Sequence, residues 1–235
     1  ITEFKNGPIA LSTKEANNQH YEVPTDFFKT VLGQYLKYSS GYWDNETKTL
    51  DQAEENMLAL SCKRAQLKDG DRILELGCGW GSLTLYMAAQ FPNASITAIS
   101  NSSTQKEFIM AQAKSRNLHN IEVITSDIND VTLEKTYDRA ISIEMFEHMR
   151  NYEKLLQLIA NNLTEKGTLF VHIFGHKQFL YPFIAEGSEN WMARHFFTDG
   201  IMPSQDIFAY FKNQFIVDKE WVVNGQHYQK TCEAW

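Results

Sequence analysis

Arg72-Ile73-Leu74-Glu75-Leu76-Gly77-Cys78-Gly79-Trp80-Gly81 is a short apolar strand that empties directly into a turn with glycine at three alternate positions. Glycine accepts positive φ and brings no Cβ, so a ligand can come down onto the backbone there. Residues 82–90 then read as a helix whose N-terminus points its partial positive charge at whatever lies over the turn. The dinucleotide fingerprint is Gly-x-Gly-x-x-Gly with an acid about 20 positions on. This chain departs from it, because the third glycine comes one residue early and the next strand, 95–99, runs into Ser100-Asn101 instead of Asp or Glu. The acid stands inside the first strand instead, as Glu75. A carboxylate there suits a cationic amino-acid or sulfonium group better than a pyrophosphate. The turn is therefore read as a site for S-adenosylmethionine, against a dinucleotide and a purely structural turn as alternatives.

Outward from the turn, strand and helix signals alternate. Strands are expected at 72–76, 95–99, 121–125, 138–143 and 168–174, with helices at 82–90, 103–117 and 152–161. Two last strands are expected near 215–219 and 227–231. The fold class predicted is α/β, a doubly wound, mostly parallel seven-stranded sheet whose ligands bind at the carboxyl ends of the strands. Residues 1–70 read as a helical cap, with helices at 25–32 after Pro24 and at 50–65. Residues 71–176 form the cofactor-binding core and 214–235 the final strands. Between them, 177–213 is crowded with Phe179, Tyr181, Phe183, Trp191, Phe196, Phe197, Phe208 and Tyr210 and reads as a substrate-pocket insertion placed as a lid.

At 235 residues the chain suffices for one large domain. A net charge of −7 without a basic run argues against nucleic acid or an anionic membrane surface and for a small-molecule partner. Cys62, Cys78 and Cys232 show neither disulfide-framework nor zinc spacing, which points to a reducing, cytoplasmic setting. No apolar run approaches the ~18 residues of a spanning helix, and the first residues show no signal-peptide pattern. The sequons at Asn45, Asn93, Asn101 and Asn162 are read as chance, since one falls beside the cofactor turn.

The fourth strand runs into Glu144-Met145-Phe146-Glu147-His148. On a helical turn Glu144, Glu147 and His148 stand at i, i+3 and i+4 and share a face. Such a cluster can attract a cationic amine and take its proton. A di-iron reading needs matching motifs on other helices, which are missing, so no metal is expected. A solvated polar turn is the bland alternative. His172 and His176 flank the end of the next strand at i, i+4 and would share a face, with His172 nearer the pocket.

Together these residues resemble the methyltransferase superfamily of cyclopropane fatty acid synthases, mycolic acid methyltransferases and plant coclaurine N-methyltransferases. The marks are Gln19-His20-Tyr21-Glu22-Val23-Pro24, Tyr38-Ser39-Ser40-Gly41-Tyr42-Trp43, the glycine turn, Glu144 to His148, Met202-Pro203-Ser204 and His227-Tyr228. Phe196 to Ser204, Asn224 to Tyr228 and the Glu-Met-Phe-Glu-His-Met run are most similar to the coclaurine branch. The lipid enzymes typically carry Gly-Ala-Phe-Glu-His in that last place.

The resemblance implies a Rossmann-like methyltransferase fold and an S-adenosylmethionine-dependent N-methyltransferase acting on a small amine with an apolar or aromatic body. Tyr38 and Ser39 would lie over the methionine part, Gly77 and Gly79 beneath it, Ser100, Asn101 and Gln105 near the ribose, and Asp127 and Ile128 around adenine, with Ile143 close by. Physical reading agrees that Asp127 can accept from an adenine amino group and that Gln105 can reach hydroxyls. The bicarbonate site of the lipid enzymes would fall on Glu147, His172 and Tyr228, but their cysteine corresponds to Ser40. Cyclopropanation of unsaturated acyl chains is accordingly the alternative. Glu144, Glu147, His148, His172 and Tyr228 form the catalytic set.

Overall fold

Burial along the first strand explains the architecture. In β1 (Arg72–Leu76) Arg72 alone is exposed, and Ile73, Leu74, Glu75 and Leu76 are all buried. A strand covered on both faces reads as a continuous apolar run, which marks the centre of a parallel sheet. The computed structural model describes residues 2–11, 25–184 and 190–235. Gln19 to Pro24, and residues 185–189 of the 177–213 stretch, lie outside the described residues.

β2 (Ser95–Ser100), β3 (Ile121–Thr125), β4 (Tyr137–Ile143) and β5 (Leu163–His172) join β1 in a five-stranded sheet of order β3-β2-β1-β4-β5. Every pairing is parallel. The chain runs outward from β1 to β3, then returns to lay β4 on the other side of β1. The carboxyl ends of β1 and β4 thus flank the point where the order reverses, the usual crevice for a ligand.

Helices cover both faces. Ile73, Ile96 and Ile141 pack under Leu58 and Cys62 of α2 (Leu50–Arg64) and Leu83 and Met87 of α3 (Ser82–Gln90). Ala98 and Val123 pack against Ile109 and Ala113 of α4 (Ser103–Ser115). On the opposite face Leu74, Leu76 and Ala140 meet α5 (Tyr152–Asn161). Its Tyr152, Leu155, Leu156 and Ile159 stand at the i, i+3, i+4, i+7 spacing of one helical stripe and are buried. Asn151 caps α5, accepting from the Lys154 N–H at 3.0 Å, and its amide also donates to the Gly7 carbonyl at 3.0 Å.

Several expectations need correction. The sheet has five strands among the described residues, not seven. No strand forms at 215–219, where Ile216 is 90% exposed, since β propensity gains nothing without a ladder partner. Residues 227–231 lie inside a helix, α7 (Gln226–Ala234), with Tyr228, Thr231 and Trp235 at helical spacing. β5 begins at Leu163 rather than 168, because an irregularity between Tyr137 and Arg139 lets polar Glu165-Lys166-Gly167 enter the strand. It ends at His172, so His176 does not share its face. His176 instead bridges to Ser204, and its Nδ1 accepts from the Gln178 and Phe179 N–H groups.

Among its described residues, the N-terminal stretch carries α1 (Thr25–Val31), α2 and a 3-10 turn at Thr2–Lys5. Residues 177–213 contain β6 (Tyr181–Pro182) paired antiparallel with β7 (Ile201–Met202), and the short α6 (Trp191–His195).

Candidate active site

The glycine turn opens one wall of a cleft. Gly77, Gly79 and Gly81 have φ of 77°, 51° and 79°, all in the left-handed region. A Cβ on Gly77 would strike Met145 at 2.6 Å, whereas one on Gly79 would meet nothing within 4 Å. Gly77 is thus required by its neighbour, and Gly79 faces open space where a ligand can approach the backbone. The cleft encloses about 680 Å³ of space, part of it open to solvent. Gly77, Gly79, Ser100, Asn101, Gln105 and Ile128 line it, joined by Met145 and His148. Gln105 is 1% exposed; its Oε1 accepts from the Ser100 hydroxyl at 2.6 Å, while its Nε2 has no hydrogen-bond partner. An orphaned buried donor in a cleft wall is a place for a ligand hydroxyl.

Other residues expected at the cofactor stand outside this wall. Glu75 lies beneath the turn and accepts from the Thr84 hydroxyl at 2.5 Å. Burial pushes its carboxyl up to about 8, with that hydrogen bond opposing. Asp127 sits between the lining residues Ser126 and Ile128, and its Oδ1 accepts from the backbone N–H and side-chain amide of Asn129. Tyr38 packs against Phe28 and Trp235, both with ring centroids 5.3 Å away. The Ser39 hydroxyl accepts from Lys37, and Ile143 pairs in register with His172.

The acidic turn differs from a plain helical face. Only Phe146–His148 is helical, as a 3-10 turn, and Glu144 precedes it at φ 48°. Its N–H donates to the His172 carbonyl at 2.7 Å, and its Oε1 accepts from the Ser40 N–H at 3.0 Å. Glu147 is fully buried. Its Oε1 accepts from the Phe174 N–H at 2.9 Å, and its Oε2 has no hydrogen-bond partner. Burial, and then the Glu144 charge, holds Glu147 well above the usual carboxylate range. Burial also raises Glu144, while Lys37, the Ser40 N–H and the Tyr228 hydroxyl pull it back. The Tyr228 phenol is raised by burial and by Glu144. Burial, with Lys37 and Arg64, brings the His172 imidazole down to about 3, so it stays neutral and is a weak base. The His148 ring lies 5.1 Å from Phe197, which residues 177–213 supply.

The structure therefore brings Glu144, Glu147, His172 and Tyr228 together, with Glu147 the buried member, and places His148 in the lining of the cleft. Two contributions escaped sequence reading. Lys37 is 3% exposed beside Glu144, in a segment otherwise chosen for its Tyr-Ser-Ser run. Ala10 and Leu11 line the cleft, drawn there by Asn129, which accepts from the Ile9 and Ala10 N–H groups and donates to the Ala10 carbonyl. No local pattern announces a clasp between residues some 120 positions apart.

Comparison with known proteins fits this geometry. The family model described as mycolic acid cyclopropane synthetase matches residues 10–235. The chain is 43% identical over 229 residues to (S)-coclaurine N-methyltransferase of Thalictrum flavum subsp. glaucum, covering 97% of this chain and 63% of that protein. It is 40% identical over 217 residues to pavine N-methyltransferase of the same plant, covering 92% and 61%. A crystal structure of coclaurine N-methyltransferase bound to N-methylheliamine and SAH superposes with a TM-score of 0.95 at 39% identity, covering 100% of this chain and 68% of that one. The chain thus spans about three fifths of the length of these relatives. Its five-stranded parallel sheet is that of a Rossmann-like methyltransferase fold, and the chain belongs to the mycolic acid cyclopropane synthetase family.

Proposed function

We propose that this chain is an S-adenosylmethionine-dependent N-methyltransferase for a small amine with an apolar or aromatic body. The observation that carries this reading is Glu144 beside Glu147. A glutamate at φ 48° occupies backbone that favours glycine, at a cost of about 1–2 kcal/mol. The lipid enzymes typically have glycine in that place. A second, half-buried carboxyl on strained backbone favours a cationic or proton-shedding amine and disfavours a bicarbonate anion. The relatives named as coclaurine and pavine N-methyltransferases support the same choice.

The cofactor would rest on Gly77 and Gly79, with Gln105 and Ser100 offering polar groups to its hydroxyls; bound there, it supplies an electrophilic methyl group. The open space above Gly79 and the orphaned Gln105 Nε2 fit such a ligand. The chain's own task is to align an unprotonated nitrogen, exclude water and manage one proton. Glu144 draws the amine in, and the Glu144–Glu147 pair with His148 receives the proton it sheds. Phe197 against His148 offers an apolar wall for the body of the substrate. The free thiols Cys62, Cys78 and Cys232 suit a reducing, cytoplasmic setting; among the described residues no helix is long and apolar enough to cross a membrane.

Turnover of (S)-coclaurine and other secondary amines, set against vesicles of unsaturated phospholipid and read by product mass, tests the proposal. Methylated amine formed equally well without bicarbonate is expected. Lipid modification that is lost when bicarbonate is removed, with every amine left untouched, would overturn it in favour of cyclopropanation.

A further inference from the structure

We propose that Lys37 is a positioning residue whose ammonium clamps the strap of residues 38–40 and supplies the counter-charge that keeps Glu144 ionised beside Glu147. This rests on the amine reading only for its effect on turnover. Lysine is almost never fully buried without partners, and Lys37 is 3% exposed. Its Nζ donates to the Ser39 hydroxyl at 2.5 Å and to the Ser40 carbonyl at 2.8 Å. Ser40 in turn donates its N–H to Glu144 Oε1 at 3.0 Å. Two short links through Ser40 therefore connect the ammonium to the carboxyl of a residue 107 positions further along the chain, and the Ser39 bond holds the ammonium in place.

The approach to Lys37 is itself anchored. Glu54 of α2, fully buried, accepts from the N–H groups of Gly33 at 2.9 Å and Tyr35 at 3.0 Å. Leu36 takes φ 51° at the corner, which turns the chain inward at Lys37. Such strain persists where the surroundings fix it, and here a carboxyl and two serines do so.

The titratable groups facing this cluster are Glu54 from α2, Glu144 and Glu147 from the turn after β4, His172 from β5, and Tyr228 and Cys232 from α7. The Arg64 charge also lowers His172. Glu144 feels the Lys37 charge, whereas the groups that lower Glu147 are backbone N–H groups. Two adjacent carboxyls near one cation divide their roles, one losing its proton first and the other keeping it. Lys37 thus favours the charged form of Glu144, while Glu147 has no such counter-charge and is held higher.

The test uses the whole chain with ¹³Cδ-labelled glutamate, the Glu144 resonance being assigned by its loss in Glu144→Gln. In Lys37→Met its titration midpoint is expected to rise by about one pH unit or more. Lys37→Gln, which keeps a donor without the charge, should raise it similarly and serves if Lys37→Met does not fold. Turnover of (S)-coclaurine should fall about tenfold in Lys37→Met, but less than about twofold when Lys37→Met is added to Glu144→Gln. A Glu144 midpoint unmoved in both charge-removing variants, or losses that multiply in full in the double variant, would overturn the proposal. A shifted midpoint in a chain that methylates no amine would uphold the role of Lys37 and sink the amine reading alone.

Discussion

Glu144 concentrates the residue-scale argument, because its side chain is bound to the strap through Ser40 while its backbone sits where glycine would be at ease. Glu144→Gly should therefore keep or slightly raise the melting temperature while amine turnover falls about 10²-fold, the usual scale for a positioned acid-base group. A variant that loses both stability and turnover in proportion would make Glu144 structural. Glu147→Ala and His148→Ala should each lower turnover by a similar factor with S-adenosylhomocysteine affinity nearly unchanged, measured by calorimetry. Gly79→Val makes the converse prediction. Its side chain would enter the open space over the turn, abolishing binding of S-adenosylhomocysteine while circular dichroism stays that of the parent. Glycine spacing and the two acids were legible as residue types. Which oxygen of Glu147 lacks a partner was not, since that depends on Phe174 arriving from the next strand.

At the scale of elements, α7 shows what a short polar stretch can hold together. Thr231 is fully buried, and its hydroxyl accepts from the Gly41 N–H at 3.0 Å and the Trp43 indole at 2.9 Å while donating to the His227 carbonyl. His227 Nδ1 accepts from the Trp43 N–H, and its ring stacks on Tyr42 at 4.6 Å. Helix α7 and residues 41–43, which follow the strap, are thereby one unit, and Tyr228 on the same helix reaches Glu144. Thr231→Val, nearly the same in shape, leaves the buried Gly41 N–H and the half-buried Trp43 indole without this acceptor, each worth roughly 1–3 kcal/mol. Chemical denaturation should show a loss of about 2–4 kcal/mol. A change below about 0.5 kcal/mol would mean that water replaces the hydroxyl there. The expectation of a strand at 227–231 failed because alternation over so few residues cannot be told from a helical stripe until the partner surface is known. The core strands and helices up to residue 161 carry long, unambiguous periods, and their observed bounds follow the sequence closely.

For the molecule as a whole, the parallel sheet gathers buried acids at one end, and their ionisation ties stability to pH. Glu75 is raised from 4.5 to about 8 by burial. It keeps its proton in the fold where the unfolded chain has released it, so its contribution is fully present below pH 4.5 and is lost as pH rises toward 8. Glu75→Gln removes that dependence. The melting temperature of the unliganded parent should therefore fall relative to the variant across that window and run parallel to it on either side, as differential scanning calorimetry can read. A constant difference from acid to alkaline pH would refute burial as the cause. What the sequence determined by itself was the periodic core: a strand, a glycine turn and alternating helices specify a doubly wound sheet because local hydrophobic period and turn chemistry act over a few residues. Only the tertiary structure decided that residues 227–231 are helical, that Ile9 and Ala10 clasp Asn129 beside the cleft, and that buried Lys37 is linked through Ser40 to Glu144, because each depends on groups brought together from distant parts of the chain, where burial and charge, not local propensity, set the outcome.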